Sequence, residues 1–231
     1  MSTHLSTLFY DSPPAPRSLI DAGTEELFAP QDMLAEANAP LEGCFYIVEG
    51  LVFATSVAES GQKTFGLIVS RNTLVGESFL LLNMAAPMGF QAQIETRALF
   101  IPRERFLELF RTDIRVAQYT AVVSALKTQS IRGLYSNWGR KSVTWRICNV
   151  ILELSYRYGR DFEGGRIILF PLSHQLLADF ANANRVTVTR YMQSLMRLGL
   201  VRRINNAYCI PDLEKLQHYA KSLADDPKGG A

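Results

Sequence analysis

The spacing of hydrophobic positions changes along the chain, and each spacing predicts a different kind of element. Between about Glu25 and Ile101, apolar residues come in short runs separated by turn residues such as Glu49-Gly50. Short runs at regular intervals predict the antiparallel strands of a β-barrel or double-sheet jelly roll. The runs are Cys44–Val48, Leu51–Val57, Thr64–Val69, Gly89–Glu95 and Ala98–Ile101, with a further turn at Glu59–Gln62. Residues 1–20 contain three prolines and predict an arm that lies on the surface.

The spacing becomes helical after Pro102, which opens a helix from Arg103 to about Phe110. Residues 113–137 contain no proline and a single glycine, so they predict one long helix. A stripe of residues with 3,4,3,4 spacing is typical of a two-stranded coiled-coil seam. It consists of Val116, Tyr119, Val123, Leu126 and Ser130. A helix of about 25 residues spans about 37 Å. We therefore expect a second copy of the chain to cover part of it and the β-domain the rest.

Residues 138–141 interrupt this helical pattern and predict a hinge. Ser142 can then cap a helix from Val143 to about Tyr158, which Gly159 ends. Residues 162–170 predict a hairpin that turns at Gly164-Gly165.

The segment from Pro171 to Val201 predicts two helices joined by a tight turn. Ser173 can cap the first helix, whose buried side holds Leu176, Leu177, Ala178 and Phe180. In the turn, Asn182 can adopt a left-handed conformation and Asn184 can cap the second helix. That helix has one apolar face, and a following glycine signals its end. The residues concerned are Val188, Met192 and Leu195, then Gly199.

The opposite face of the second helix is basic and polar, and no acidic residue occurs from Ala181 to Asn206. Such a face is typical of a recognition helix, which reads base edges in the major groove of DNA. Two short strands around Asn205-Asn206 predict the wing of a winged helix-turn-helix. The candidates for contact with DNA are Ser173, Arg185, Val186, Thr187, Thr189, Arg190, Gln193, Arg202 and Arg203. A helical hairpin with a solvated basic side is the alternative interpretation.

The distribution of charge supports the interpretation as a DNA-binding protein. The 231 residues carry a net charge of only +2, but residues 140–204 hold 11 basic and 4 acidic residues, a net +7. Residues 1–139 have a net charge of −4. Positive charge concentrated on the helix-turn-helix segment favours binding to a phosphate backbone.

Other classes of function find little support in the sequence. Cys44, Cys148 and Cys209 are too widely spaced for a metal cluster or a disulfide framework, so we expect small buried side chains. We find no catalytic constellation, and expect neither enzymatic activity, a cofactor nor a metal site. No apolar run reaches about 18 residues and the N-terminus lacks signal-peptide order. We therefore expect a cytoplasmic protein without membrane contact.

Three short motifs carry a family resemblance over nearly the whole chain. They are Tyr46–Gly50, Gly76–Ser78 and Arg185-Val186-Thr187-Val188-Thr189-Arg190. The chain resembles the CRP/FNR family of bacterial transcription regulators, and most of all the halorespiration type, which has Val-Thr-Val-[Ser/Thr]-Arg in its recognition helix.

The resemblance implies an α+β fold with three parts. These are an N-terminal antiparallel β-roll, a jelly roll like cyclic-nucleotide-binding domains, over residues 1–111, a dimerisation helix over 112–138, and a winged helix-turn-helix over 139–231. It implies a homodimer whose partners are double-stranded DNA and RNA polymerase. Activation and repression both remain open.

The positions at which the chain departs from the family pattern indicate which effectors it can bind. Family members that bind cyclic nucleotide have Arg-Ser about ten residues after Gly-Glu, whereas this chain has Ala85–Phe90 without a cation. A buried phosphate would then lack a positive partner. The chain also lacks the four cysteines of the family's iron–sulfur sensors and a histidine within the roll as a haem ligand. Regulation by cyclic nucleotide is thus a lesser alternative.

A small organic effector, anionic or aromatic, is the remaining expectation, in an apolar pocket between roll and long helix. The candidate residues are Gly76, Glu77, Met84, Met88, Phe90, Tyr119, Val123 and Lys127. Lys127 aligns with a lysine near the effector pocket of halorespiration-type relatives and could pair with a carboxylate or phenolate. Alternatively, Lys127 is a solvated helix residue, Glu77 is kept for structure inside the roll, or the pocket is vestigial.

The recognition helix also predicts which bases are read. Relatives that read a G·C pair carry Glu at the position of Val186. Valine cannot accept a hydrogen bond, but it can pack on a thymine methyl group. Arg190 is the candidate for a bidentate contact to guanine, or for a phosphate. We therefore expect an A·T-rich palindrome of the TTAA type.

Overall fold

The computed structural model describes residues 10, 12–57, 63–169 and 171–224, and it divides the chain into two compact units, residues 1–132 and 133–231. The predicted turn at Glu59–Gln62 lies outside the described residues. The helices are α1 (Arg17–Ile20), α2 (Glu77–Leu82), α3 (Arg103–Thr112), α4 (Ile114–Arg140), α5 (Val143–Tyr158), α6 (His174–Ala181), α7 (Arg185–Arg197) and α8 (Leu213–Ala224). The strands are β1 (Thr24–Phe28), β2 (Met33–Ala35), β3 (Gly43–Glu49), β4 (Leu51–Val57), β5 (Lys63–Ser70), β6 (Thr73–Val75), β7 (Gly89–Ala92), β8 (Thr96–Pro102), β9 (Gly159–Phe162), β10 (Gly165–Ile168), β11 (Arg202–Ile204) and β12 (Ala207–Ile210).

The first unit is a roll of two four-stranded antiparallel sheets, as predicted. One sheet has the order β1-β8-β3-β6 and the other β2-β7-β4-β5. The turn between β3 and β4 requires Gly50, whose φ is +126° and whose missing Cβ would come within 2.3 Å of the Thr96 hydroxyl. A side chain there would collide with the neighbouring strand, which explains the glycine in the Tyr46–Gly50 motif.

Strand β3 is buried on both faces because it separates two hydrophobic cores. Successive side chains of a strand point to opposite faces. Phe45 and Ile47 point into the core between the two sheets. Cys44 and Tyr46 point into a second core, which α1, α2, α3 and α4 cover. The run therefore consists of apolar residues without alternation, and every residue from Gly43 to Ile47 is buried.

The predicted coiled-coil seam on α4 is wrong, because those residues face the chain's own roll. Val116, Tyr119 and Val123 belong to the core between the roll and its helices. Leu126 packs against the inter-sheet core and Ser130 is buried. The 3,4 spacing correctly indicated a buried face. The spacing alone does not show whether that face packs against the same chain or against a second copy.

The prediction of a surface arm is wrong for the described part of residues 1–20. Leu19 is fully buried in the second core of the roll, and Ala15 and Tyr10 are also buried. The prolines end before α1, and this short helix supplies an apolar side chain to the core. Residues 1–9 and 11 lie outside the described residues.

The predicted hinge at residues 138–141 is displaced, since α4 continues through Trp138 to Arg140. The break falls between α4 and α5, where Ser142 accepts a hydrogen bond from the Trp145 amide at 3.2 Å, as its predicted capping role requires. The second unit continues with a four-stranded sheet of order β11-β12-β10-β9. The predicted hairpin at residues 162–170 starts earlier, because β9 begins at Gly159.

The three cysteines are free and buried, as predicted. Burial raises the pKa of the Cys148 thiol to about 12. None of the helices in the described part of the chain has both the length and the apolar character that a membrane crossing needs.

Candidate nucleic-acid interface

Helix α6 begins and ends at the predicted residues. The Ser173 hydroxyl accepts a hydrogen bond from the Leu176 amide at 3.0 Å and so satisfies a donor of the first turn. Asn182 ends the helix in the left-handed region, with φ of 46°. Leu177 and Phe180 are fully or almost fully buried and hold α6 against the rest of the second unit.

Helix α7 also follows the prediction at both ends. The Asn184 side chain accepts a hydrogen bond from the Thr187 amide at 2.7 Å. The three predicted core residues, Val188, Met192 and Leu195, have no exposed surface. At the C-terminal end Gly199 has φ of +66°, and the Leu200 amide donates to the Leu195 carbonyl at 3.0 Å, which closes the last turn.

The opposite face of α7 is solvent-exposed along its length. Arg185, Arg190 and Gln193 are exposed, and Val186 is 79% exposed although it is a β-branched hydrophobic residue. The Arg190 guanidinium lies 5.1 Å from the centre of the Tyr191 ring, a cation–π contact on its own helix. An apolar side chain in the first turn of a basic face can meet an apolar group such as a thymine methyl.

Two of the predicted contact residues are less accessible. Thr187 and Thr189 are half-buried. The Thr189 hydroxyl donates to the Arg185 carbonyl at 2.9 Å and lies 2.9 Å from Nδ1 of His174. Its oxygen is therefore engaged within the motif, which favours a role in holding α7 in place.

The wing is the hairpin β11–β12, and it belongs to the four-stranded sheet of the second unit. Asn205 turns the hairpin with φ of 52°. Arg202 and Arg203 are both exposed on β11. Arg202 donates to the Gly164 carbonyl at 2.6 Å, whereas the Arg203 guanidinium lies 5.7 Å from the centre of the Tyr208 ring. The two arginines project from a strand that the rest of the sheet supports.

His174 was not among the predicted site residues, yet it contacts the other two parts of the motif. Besides Thr189, its ring stacks on Tyr208 with a centroid distance of 6.4 Å and an interplanar angle of 15°. Burial lowers the pKa of His174 below its ordinary value, and the positive charges of Arg203 and Arg185 add to this effect. His174 is far from Thr189 and Tyr208 in the sequence, so no local sequence pattern predicts these contacts.

The predicted effector residues Glu77 and Lys127 form an ion pair within the first unit. The Lys127 ammonium lies 2.6 and 2.8 Å from the two carboxylate oxygens of Glu77. The side chain of Glu77 is completely buried and that of Lys127 is 12% exposed. Ser78 donates a further hydrogen bond to the carboxylate. The alternative of a solvated Lys127 is thus wrong, and Glu77 is bonded inside the roll, as the alternative of a structural role for Glu77 predicts.

The other predicted effector residues lie in different places. Phe90 belongs to the inter-sheet core and Met88 packs against it, whereas Tyr119 and Val123 lie in the core under α4. Burial raises the pKa of Tyr119 strongly, and its hydroxyl donates to the Asn72 carbonyl at 2.8 Å.

Two residues at the ends of α2 complete the predicted set. Gly76 precedes α2 with φ of +89°, and Met84, just beyond α2, is 50% exposed. A cavity of about 320 Å³ in this unit lies instead beside β2 and the β2–β3 connection, and none of the predicted effector residues lines it.

Both parts of the chain match families of known protein domains. Residues 25–113 match the cyclic nucleotide-binding domain family, and residues 146–219 match the Crp-like helix-turn-helix domain family. The global nitrogen regulator of Synechococcus elongatus is 25% identical over 173 residues, which cover 70% of this chain and 74% of that protein.

Solved structures share the fold. A CRP/FNR-family transcriptional regulator from Thermus thermophilus has a TM-score of 0.73 at 21% identity, covering 87% of this chain and all of the other. CprK, a halorespiration-type regulator solved in complex with OCPA, has a TM-score of 0.64 at 20% identity, covering 88% of this chain and 92% of the other.

A β-roll and a winged helix-turn-helix with these matches define a DNA-binding transcription regulator. The resemblance found in the sequence is confirmed, because both domains of that architecture are present in the expected order. The chain belongs to the CRP/FNR family.

Proposed function

We propose that this regulator binds an A·T-rich palindrome as a homodimer, with one recognition helix α7 in each of two successive major grooves. Half-sites would be one helical turn, about 34 Å, apart. The observation that supports this proposal best is Val186, a 79% exposed hydrophobic residue in the first turn of α7 on a face without acids. Buried against a thymine methyl group, it would lose the unfavourable exposure to water.

The remaining contacts divide into base reading and backbone positioning. Arg190 reaches a guanine or a phosphate, and Gln193, two turns after Val186, extends the same exposed face. Phosphates would be bound by Arg185, Arg202, Arg203 and the Ser173 hydroxyl at the start of α6. Thr187 and Thr189 are half-buried, so they would contact DNA over a smaller surface than the exposed residues of α7.

The dimer would use the face of α4 that the roll leaves open. Ile114 is 69% exposed, Val122 is 45% exposed, and Ala121 and Ala125 are also exposed. Ile114, Gln118, Ala121, Ala125 and Thr128 follow a 4,3,4,3 spacing, as coiled-coil seams do. We propose this stripe as the seam in place of the one predicted from sequence. Residues 1–111 would then be the effector domain, 112–138 the dimerisation helix and 139–231 the DNA-binding domain.

Replacing Ala125 by glutamate is expected to weaken the dimer, because it places a like charge of each copy at the centre of the seam. Sedimentation equilibrium would measure the dissociation constant of the dimer. Ala37→Glu, the same change on an exposed loop of the roll, is the control. An unchanged dimer in the Ala125→Glu protein would contradict the proposed seam.

Replacing Val186 by glutamate is expected to change which base pair is preferred. The carboxylate can accept from cytosine N4, so the relative affinity for G·C over A·T at that position should rise by about 1–3 kcal/mol per half-site. Competition binding with two palindromes that differ only at that pair would measure it. Gln193→Glu adds the same charge on the same face and should weaken both sites alike. Unchanged relative affinities in the Val186→Glu protein would rule out the assigned contact.

Control by a small anionic effector is a second proposal, which the Glu77–Lys127 pair supports. An effector carboxylate or phenolate would share the Lys127 ammonium with Glu77 and so change the packing of α4 on the roll. Only a ligand with different affinity for the two arrangements shifts their populations. DNA affinity with and without a panel of aromatic carboxylates would test it, and equal affinities throughout would favour an effector-independent regulator.

A further inference from the structure

His174 connects the three parts of the helix-turn-helix unit through one imidazole ring. It is the first residue of α6, and its Nδ1 lies 2.9 Å from the Thr189 hydroxyl on α7. Its ring stacks on Tyr208 of β12. Tyr208 in turn lies beneath the Arg203 guanidinium of β11. The recognition helix and the wing thus both rest on this side chain.

The hydrogen bonds around Thr189 determine which ring nitrogen carries the proton. A threonine hydroxyl has one hydrogen, and Thr189 donates it to the Arg185 carbonyl at 2.9 Å. Its oxygen must therefore accept from His174, so Nδ1 carries the hydrogen. In the neutral ring, Nε2 then carries no hydrogen and can only accept a hydrogen bond. This atom is buried and has no hydrogen-bond partner among the described residues.

We propose that His174 is a positioning residue of the DNA interface, holding α7 against α6 and the wing, and that it takes up a proton on Nε2 when DNA binds. The proposal rests on the DNA-binding function proposed above. The proton comes from solvent and converts the neutral ring to imidazolium. Since Nδ1 already donates to Thr189, protonation of Nε2 leaves that hydrogen bond intact.

The charges that face His174 explain why DNA changes its protonation. Arg185 on α7 and Arg203 on the wing are positive, and together with burial they lower the pKa of His174 in the free protein. The other titratable group in contact is Tyr208, which is neutral near pH 7. On α5, which packs on α6, Arg146 donates instead to the Asn182 carbonyl at the far end of α6. Phosphates bound to Arg185 and Arg203 would neutralise the positive charge of these side chains and so raise the pKa of His174.

The direction of the pH dependence follows from this difference. Because the pKa of His174 is higher in the complex than in the free protein, DNA affinity should increase as pH falls through the interval between the two pKa values. It should be constant above the higher value and below the lower one. Each pKa unit of difference would strengthen binding by about tenfold per protomer.

The first experiment compares DNA affinity between about pH 5 and pH 8, at constant ionic strength, for wild type and His174→Asn. The probe is a duplex with two TTAA-type half-sites one helical turn apart. Asparagine can donate to Thr189 from nearly the Nδ1 position but cannot be protonated. We expect affinity within a factor of about five of wild type at high pH, without the increase at low pH. His4 and His218 remain in both proteins, so parallel pH profiles would overturn the proposal.

Variants of Thr189 separate positioning from titration. Thr189→Ser keeps the hydroxyl that accepts from Nδ1, whereas Thr189→Val leaves the Nδ1 hydrogen unpaired, so Thr189→Val should bind DNA more weakly than Thr189→Ser at every pH. Equal binding by the two variants would contradict the positioning role.

The ring-nitrogen chemical shifts of His174 test the tautomer without DNA. We expect the Nδ1-protonated form in the free protein, and an Nε2-protonated ring would overturn the inference. If no variant binds any duplex at low salt, the DNA-binding proposal itself fails, and the chemical shifts still decide the tautomer.

Discussion

Replacing Lys127 by methionine is expected to lower the free energy of unfolding by about 3–5 kcal/mol, because it leaves a buried carboxylate without its counter-charge. The side chain of Glu77 has no exposed surface, and both of its oxygens lie within 2.8 Å of the Lys127 ammonium. Methionine keeps most of the volume and removes the charge. Chemical denaturation followed by far-UV circular dichroism would measure the loss.

Two further variants make this test specific. The double variant Glu77→Gln/Lys127→Met has no buried charge and should recover much of the stability, since a neutral replacement of both partners is often tolerated. Lys215→Met, on the exposed side of α8, should have little effect. Both tryptophans, Trp138 and Trp145, lie in the second unit, so tryptophan fluorescence should change less than the dichroism. A loss below about 1 kcal/mol in the single variant would show that the pair is not stabilising.

Replacing Arg190 by alanine is expected to weaken binding to the preferred duplex more than any other single change on α7. A bidentate arginine–guanine pair contributes about 1–3 kcal/mol. The proposed dimer would lose two of them, so we expect a loss of about 2–6 kcal/mol, or about 30-fold to 20,000-fold in dissociation constant. Fluorescence anisotropy with a labelled palindrome would measure this loss.

The control for Arg190 removes the same charge elsewhere in the second unit. Arg160 is exposed on β9, so Arg160→Ala subtracts one positive charge per protomer without touching α7. It should change affinity slightly and by a similar factor for every duplex. If Arg190→Ala weakens all sequences equally and reduces the salt dependence by about one ion per protomer, Arg190 contacts a phosphate rather than a base.

Local signals in the sequence were sufficient for the helix-turn-helix. Ser173, Asn182 and Asn184 act within three or four residues of their own position, so capping and turn preferences describe them directly. The same holds for the longer strands β3, β4 and β5, which are seven or eight residues long and each contain a run of apolar residues. The three-residue strands β2 and β6 leave no periodic pattern and were missed, as was the five-residue β1.

Contacts between distant residues were not predictable from one sequence. Lys127 and Glu77 are separated by 50 positions and His174 and Thr189 by 15, and in each pair the tertiary fold brings the side chains together. The coiled-coil seam predicted on α4, from Val116 to Ser130, illustrates the same limit. Its spacing identified the buried face correctly, but what covers that face depends on the roll, which helical periodicity does not describe.

The two-sided burial of β3 affects how substitutions in it combine. Phe45 and Tyr46 are adjacent in the chain, yet they sit in separate cores and share few neighbours. Their effects on stability should therefore be nearly additive, while Phe45 and Phe100, whose rings are 5.3 Å apart, should be energetically coupled. Along this strand, proximity in the chain is a poor guide to epistasis, and residues two positions apart constrain one another more than immediate neighbours do.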